Sequence, residues 1–294
     1  MIFTSGLSSP EGPVLLNDGS WLVVEMGPDR GSITQISREG QTKRTIAKTG
    51  RPNGLALDCR GTIWVAESGS QNPALLRLSM EGEVDVFLTS CGNTPFLFPN
   101  DLCFGPDGAL YLTDSGILHK DVEVDGAIRT DFRSLKPDGR IYRIDRLTKQ
   151  TDILDCGLCF ANGIAFDGDR NLYVSETFTG RIYRYPYQNK REYGSRDEFA
   201  NVLDMNADTH SFAGPDGMAF DQQGKLYVAV SGQGNITVLD SDGSLETRIR
   251  TQGKLPTNVA FGPTGSRQIM VTECEKGSME MFDVEADGLP LYKG

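Results

Sequence analysis

The chain has 294 residues, a formal net charge of −11 and 34 glycines, with 38% hydrophobic and 9% aromatic residues. Such an acidic balance argues against nucleic acid and anionic membrane as partners, since both attract basic surfaces. No apolar run reaches the length of a leader or a spanning helix, so a cytoplasmic protein acting on small molecules is expected. The apolar content allows a large core, and the glycines point to many short strands joined by tight turns.

Taken in chain order, six segments share a polar residue at the start of a short strand. They read Pro10-Glu11-Gly12, Pro52-Asn53-Gly54, Pro99-Asn100-Asp101, Ala161-Asn162-Gly163, Pro215-Asp216-Gly217 and Thr257-Asn258-Val259. Each is followed, across a Gly- or Asp-rich turn, by a second strand such as Trp21-Leu22-Val23-Val24, Ile63-Trp64-Val65-Ala66 or Leu226-Tyr227-Val228-Ala229. This is the pattern of a β-hairpin. Further strands follow each hairpin, for example Arg140–Ile144 and Arg181–Tyr185, so the repeating unit is four-stranded. The key polar residues recur roughly every 40 to 60 residues, the length of a propeller blade plus insertions. The expected fold is therefore all-β: one domain over residues 1–294, a six-bladed β-propeller with four-stranded antiparallel blades. Closure of the ring by strands from both ends of the chain is expected, with the end that supplies the outer strand left open.

Radial closure leaves an axial channel lined by the innermost strands. The start of a hairpin's first strand and the end of its second lie together. One mouth should therefore gather Glu11, Asn53, Asn100, Asn162, Asp216 and Asn258. Behind them should stand Glu25, Glu67, Asp114, Glu176, Val230 and Glu273, and the carboxylates of the five acids would also converge on the axis. Asn is a common turn residue, and for Asn53 and Asn258 a turn role is as good a reading. Glu11 and Asp216 replace the repeated Asn by a carboxylate, which no turn requires. Buried like charges are costly, and a hard divalent cation removes that cost while accepting amide oxygens as further ligands.

The stretches SPEGPV, FPNDLCFGPDGALYLTD, FANGIAFD and GPDGMAFD resemble, in the same order along the chain, those of the SMP-30/gluconolactonase/LRE family, which is also similar to diisopropyl-fluorophosphatase. The resemblance implies a six-bladed propeller with one catalytic divalent ion held by Glu11, Asn100, Asn162 and Asp216. Regucalcin-related sugar lactonases carry an Arg two residues before the mid-chain Asn and a Glu eighteen after it; this chain has Phe98 and Leu118. With Phe96, Phe160, Phe178 and Phe212 near the same mouth, a lactone or ester less polar than a sugar lactone is expected.

The chemistry implied is metal-assisted opening of a lactone by water. Asp216 would ligate the ion and take the water's proton, and Asn100 would orient the substrate. The ion could be Ca²⁺, Mg²⁺, Mn²⁺ or Zn²⁺, all of which accept oxygen donors. The alternatives are phosphotriester hydrolysis on the same residues and a non-catalytic ligand-binding propeller. His119 and His210 are the two histidines, and no G-x-S-x-G elbow accompanies them. His119 is either a substrate contact at the mouth or a solvated loop residue. The insertion from Ser115 to Pro137 should close over the mouth and could bring Lys120, Arg129 or Arg133 to it. The six cysteines are scattered and are read as reduced thiols; Cys156-Gly-Leu-Cys159 lacks the second pair of a zinc site.

Overall fold

Each repeat forms a blade of four antiparallel strands that runs from the axis outward. The computed structural model describes residues 1–124, 127–189, 191–209 and 212–294; His210 lies outside them. Blade one consists of Pro10–Leu15, Trp21–Glu25, Ser32–Ile36 and Lys43–Lys48, hydrogen-bonded in that order. The innermost strands of blades two to six are Pro52–Leu57, Pro99–Phe104, Ala161–Phe166, Gly214–Phe220 and Pro256–Phe261. Each of these strands touches those of the blades on either side, and the last touches the first, so the ring is closed.

The second strands of blades one to four are buried along their whole length, because each blade is covered on both faces by its neighbours. Their sequences are accordingly apolar runs rather than strict alternations. The core is divided among the gaps between blades. Leu22, Val24 and Ile33 meet Leu55, Val65 and Leu76 between blades one and two, and Trp64 and Phe87 meet Leu112 and Tyr142 between blades two and three. Outer strands such as Lys43–Lys48 and Leu245–Arg250 are mostly exposed and charged, a composition that discourages edge-to-edge pairing.

Blade six settles the closure. Its strands Pro256–Phe261, Gln268–Glu273 and Ser278–Asp283 come from the end of the chain, and its outermost strand, Ile2–Ser5, comes from the beginning. Phe3 packs beside Met270, Met279 and Trp21 in the gap between blades six and one. Deleting residues 1–5 should leave Ser278–Asp283 as a bare edge and lower the melting temperature, at about 2–4 °C per kcal/mol lost. An unchanged melting curve would show that this strand does not hold the ring shut.

Candidate functional site

In every blade the pairing of the first two strands slips near the key polar residue: between Glu11 and Val14, Pro52 and Leu55, Pro99 and Leu102, Ala161 and Ile164, Pro215 and Met218, and Pro256 and Asn258. Such a bulge re-aims side chains. Here it brings Glu11 of blade one, Asp101 of blade three and Asp216 of blade five within each other's electrostatic reach. Those blades are not neighbours, so the three carboxylates meet at the axis. Asn258 lies against both Glu11 and Asp101, and Asn162 against Asp216.

Burial is the first cause of the electrostatics here, and mutual repulsion adds to it. Glu11 and Asp216 are pushed well above the ordinary carboxylate range by desolvation, with Asp101 acting on both and Asp216 on Glu11. Asp101 is held at about 7, again by burial, against the opposing pull of the Leu102 amide, which it accepts, and of the nearby Ile164 amide and Asn258 side chain. Asp101 was absent from the sequence-based site. Its signal was its position: blades one, two, four and five have Gly12, Gly54, Gly163 and Gly217 there. Those glycines allow inner strands to touch. A Cβ at Gly54 would lie 2.6 Å from Asp101 Oδ1, one at Gly163 2.3 Å from the Asp216 carbonyl oxygen, and one at Gly217 2.0 Å from Asn258 Cγ.

The two middle asparagines are oriented by hydroxyls. Asn100 Nδ2 donates to Ser115 Oγ (2.9 Å) while Ser115 Oγ donates to the Ala161 carbonyl (2.9 Å). Asn162 Nδ2 donates to Thr177 Oγ1 (3.1 Å), which donates to the Pro215 carbonyl (2.9 Å). A hydroxyl whose proton is committed to a carbonyl can only accept, so each amide must turn its nitrogen to the hydroxyl and keep its oxygen for something else. Asn162 Oδ1 is buried without a partner, and Asn100 Oδ1 accepts no hydrogen bond among the described residues. Ser115 and Thr177 are therefore positioning residues. If Asn162 holds a divalent ion, Thr177→Val should weaken retention of that ion about 10–100-fold, the usual effect of losing the group that orients a ligand. Unchanged affinity by calorimetry would show that the amide needs no such support.

The second acidic set does something else than expected. Rather than facing the axis, these carboxylates accept backbone N–H groups from the loop that enters their own blade. Glu25 accepts from Ser8 (2.8 Å), Glu67 from Arg51 (2.6 Å), Glu176 from Cys159 (2.7 Å) and Glu273 from Leu255 (2.8 Å). Asp114 takes the amides of Leu97, Phe98 and Gly116. Each sits at the end of a strand, next to amides that no ladder satisfies, and a carboxylate is the strongest acceptor available for them. Asn53 is buried, and no described contact links it to the axial carboxylates.

Above the axis lies a cluster of aromatic rings. Phe98 meets Phe160 edge-on at 5.5 Å, Phe160 stacks on Phe178 at 4.6 Å, and Phe132 contacts Phe178 and Phe212. Val122 and Phe132 are contributed by the insertion, which folds over this rim as a short helix, His119–Val122, and a 3-10 turn, Phe132–Ser134. Phe160 is held at a φ of 72°, a conformation that costs a non-glycine residue about 1–3 kcal/mol. Phe96 is not part of the rim; it packs on Tyr142 in the gap between blades two and three. Leu118 is half-buried, and its carbonyl accepts the Asp121 amide.

His119 does reach the mouth: its ring lies edge-on to Phe98 at 5.6 Å and its Nε2 donates to Glu123 Oε2 at 2.6 Å. The cations expected from the insertion are engaged elsewhere. Arg129 pairs with Asp131 on the surface, Arg133 lies over Phe132 and donates to the Phe178 carbonyl, and Lys120 is exposed. The cation that arrives instead is Arg51, whose guanidinium sits 5.2 Å from the centre of the Phe98 ring. Its signal was faint: it stands two residues before Asn53, as Phe98 stands two before Asn100.

The model of the SMP-30/gluconolactonase/LRE-like region matches residues 9–275. The chain belongs to this family. It is 28% identical over 289 residues to the gluconolactonase of Zymomonas mobilis, covering 90% of this chain and 76% of that protein. It is 24% identical over 319 residues to the diisopropyl-fluorophosphatase of Loligo vulgaris, covering 98% and 93%. The solved structure of a gluconolactonase from Xanthomonas campestris superposes with a TM-score of 0.78 at 23% identity, covering 97% of this chain and 89% of that one.

For a member of this family the question is whether the axial residues suit a cation. Among the described residues, no group of three or more His, Cys, Asp and Glu side chains is arranged to hold a metal by itself. The donor set at the axis is mixed instead. It contains two buried oxygens without partners, Glu11 Oε2 and Asn162 Oδ1, beside carboxylates that repel one another. Orphaned oxygens and uncompensated negative charge are what a hard divalent ion relieves, so the residues present fit one. Among the described residues no helix is long and apolar enough to cross a membrane.

Proposed function

We propose that the protein is a metal-dependent lactone hydrolase, a reading carried by the unpartnered oxygens of Glu11 and Asn162 gathered with Asp216 at the axis of a chain of this family. Glu11, Asn100, Asn162 and Asp216 would hold one divalent ion. When bound, the ion supplies polarisation of the ester carbonyl. Asp216 takes the proton of the attacking water, with Asp101 within its electrostatic reach. Water oxygen bonds to the carbonyl carbon, the ring C–O bond breaks, and the proton returns to the ring oxygen, leaving a hydroxy acid. Asn100, fixed by Ser115, positions the substrate.

The buried Phe98 supports a substrate less polar than a sugar lactone, because a hydroxyl left unpaired against an apolar wall costs about 1–3 kcal/mol. An apolar γ- or δ-lactone should exceed gluconolactone in kcat/KM by at least about tenfold, the factor that 1.4 kcal/mol gives. The test is turnover of lactones, esters and phosphotriesters by protein of known metal content, with and without chelator. Lactone turnover that vanishes on chelation and returns with a divalent ion is expected. Full activity of metal-free protein would overturn the reading. Turnover of phosphotriesters alone would favour the second reading, to which the similarity to diisopropyl-fluorophosphatase gives weight.

A further inference from the structure

Arg51 is held in place before any ligand arrives. Its Nη1 donates to Ser68 Oγ (2.7 Å), its Nη2 lies 3.5 Å from Glu123 Oε2, its guanidinium lies over the Phe98 ring, and its own amide donates to Glu67. A guanidinium fixed in this way loses little freedom on binding. Its side chain keeps about one-fifth of its exposure. Cys274 lies within electrostatic reach of Arg51 as well as of Glu11 and Asp216, and Phe98, against which the guanidinium lies, stands two residues before Asn100.

Glu123, the nearest acceptor, holds both His119 (2.6 Å) and Arg51 through its Oε2. The guanidinium's other N–H groups remain for a ligand, beside phenylalanine rings. A hydroxyl wants a donor and an acceptor, whereas a carboxylate is acceptor-only and matches the guanidinium fork with two parallel bonds. Resting on the lactone-hydrolase reading, we propose that Arg51 anchors the substrate and that the protein selects lactones bearing an anionic substituent on an otherwise apolar body.

The test compares γ-carboxy-γ-butyrolactone with γ-hydroxymethyl-γ-butyrolactone on metal-loaded protein, alongside calorimetry of the acid. The expected result is a kcat/KM ratio of at least about tenfold in favour of the acid, carried by KM and shrinking as salt is raised. Arg51→Gln should bring the ratio towards one, and Arg51→Lys, which keeps the charge and guards against a folding defect, should keep part of it. Equal turnover of the two lactones by the unmodified protein would overturn the role of Arg51 and leave the hydrolase standing. If neither lactone is opened but the acid binds in an Arg51-dependent way, the hydrolase reading fails and the anion site stands. Absence of both turnover and binding removes both.

Discussion

Metal-free protein should lose stability as pH rises from about 4 to 7, and a divalent ion should restore it. Glu11, Asp101 and Asp216 all have their proton affinity raised in the folded state, first by burial and then by one another. Below the ordinary carboxylate range near 4 both folded and unfolded chains are protonated there, and nothing is lost. As pH rises towards the folded value, about 7 for Asp101, the unfolded chain releases protons that the fold must keep, so the unfolding free energy falls. Each tenfold difference in proton affinity is worth about 1.4 kcal/mol.

Ion binding to the native state reverses this, by about 2.7 kcal/mol at a hundredfold excess over Kd. The diagnostic variant is Glu11→Gln. It removes one of three mutually repelling groups, so metal-free variant protein at pH 7.5 should be more stable than metal-free unmodified protein, yet gain less from added ion. Turnover should fall with ion retention, and Asp216→Asn should behave in the same direction. Thermal melts with and without chelator at several pH values check this. A Glu11→Gln protein that is less stable without metal and responds normally to it would place the ion elsewhere.

The second large effect should come from Gly163→Ala, a change of one methyl group. The Cβ would sit 2.3 Å from the Asp216 carbonyl oxygen and 2.8 Å from Gly217 Cα, both backbone atoms of the neighbouring blade. No rotamer relieves that contact, so blades four and five must separate where Asn162 and Asp216 meet. Overpacking of this kind costs about 1–3 kcal/mol. The expected outcome is a lower melting temperature together with loss of ion retention and turnover. Gly61→Ala is the control: its Cβ meets nothing within 4 Å, so the strain of its positive φ should lower stability without touching ion retention. If Gly163→Ala binds the ion normally, the spacing of these two inner strands does not set the site.

Much of this protein could be read from its residues. Apolar strands between glycine turns, repeated six times, dictate the hairpins, because each four-stranded unit can bury its faces only against copies of itself. Hairpin geometry then places Glu11, Asn162 and Asp216 at one mouth, where the structure brings them together. The carboxylates of Glu11 and Asp216 stood out because these two of six equivalent positions broke the pattern.

Other features were decided only by tertiary structure. Whether Glu67 faces the axis or a loop depends on which unsatisfied amide lies nearest, here that of Arg51, and strand alternation says nothing about amides outside the ladder. Asp101 beside Asn100 looks like a turn pair until the carboxylates of blades one and five are seen across the axis from it. Phe96 and Phe98 are two residues apart, yet one fills a gap between blades and the other lines the mouth, because the incoming loop changes direction between them. Arg51 reaches Phe98 of the next blade and Glu123 of the insertion, contacts between segments far apart in the chain. The outer strand Ile2–Ser5 is four residues long, too short to show a period, and only the open edge at Ser278–Asp283 determines where it binds.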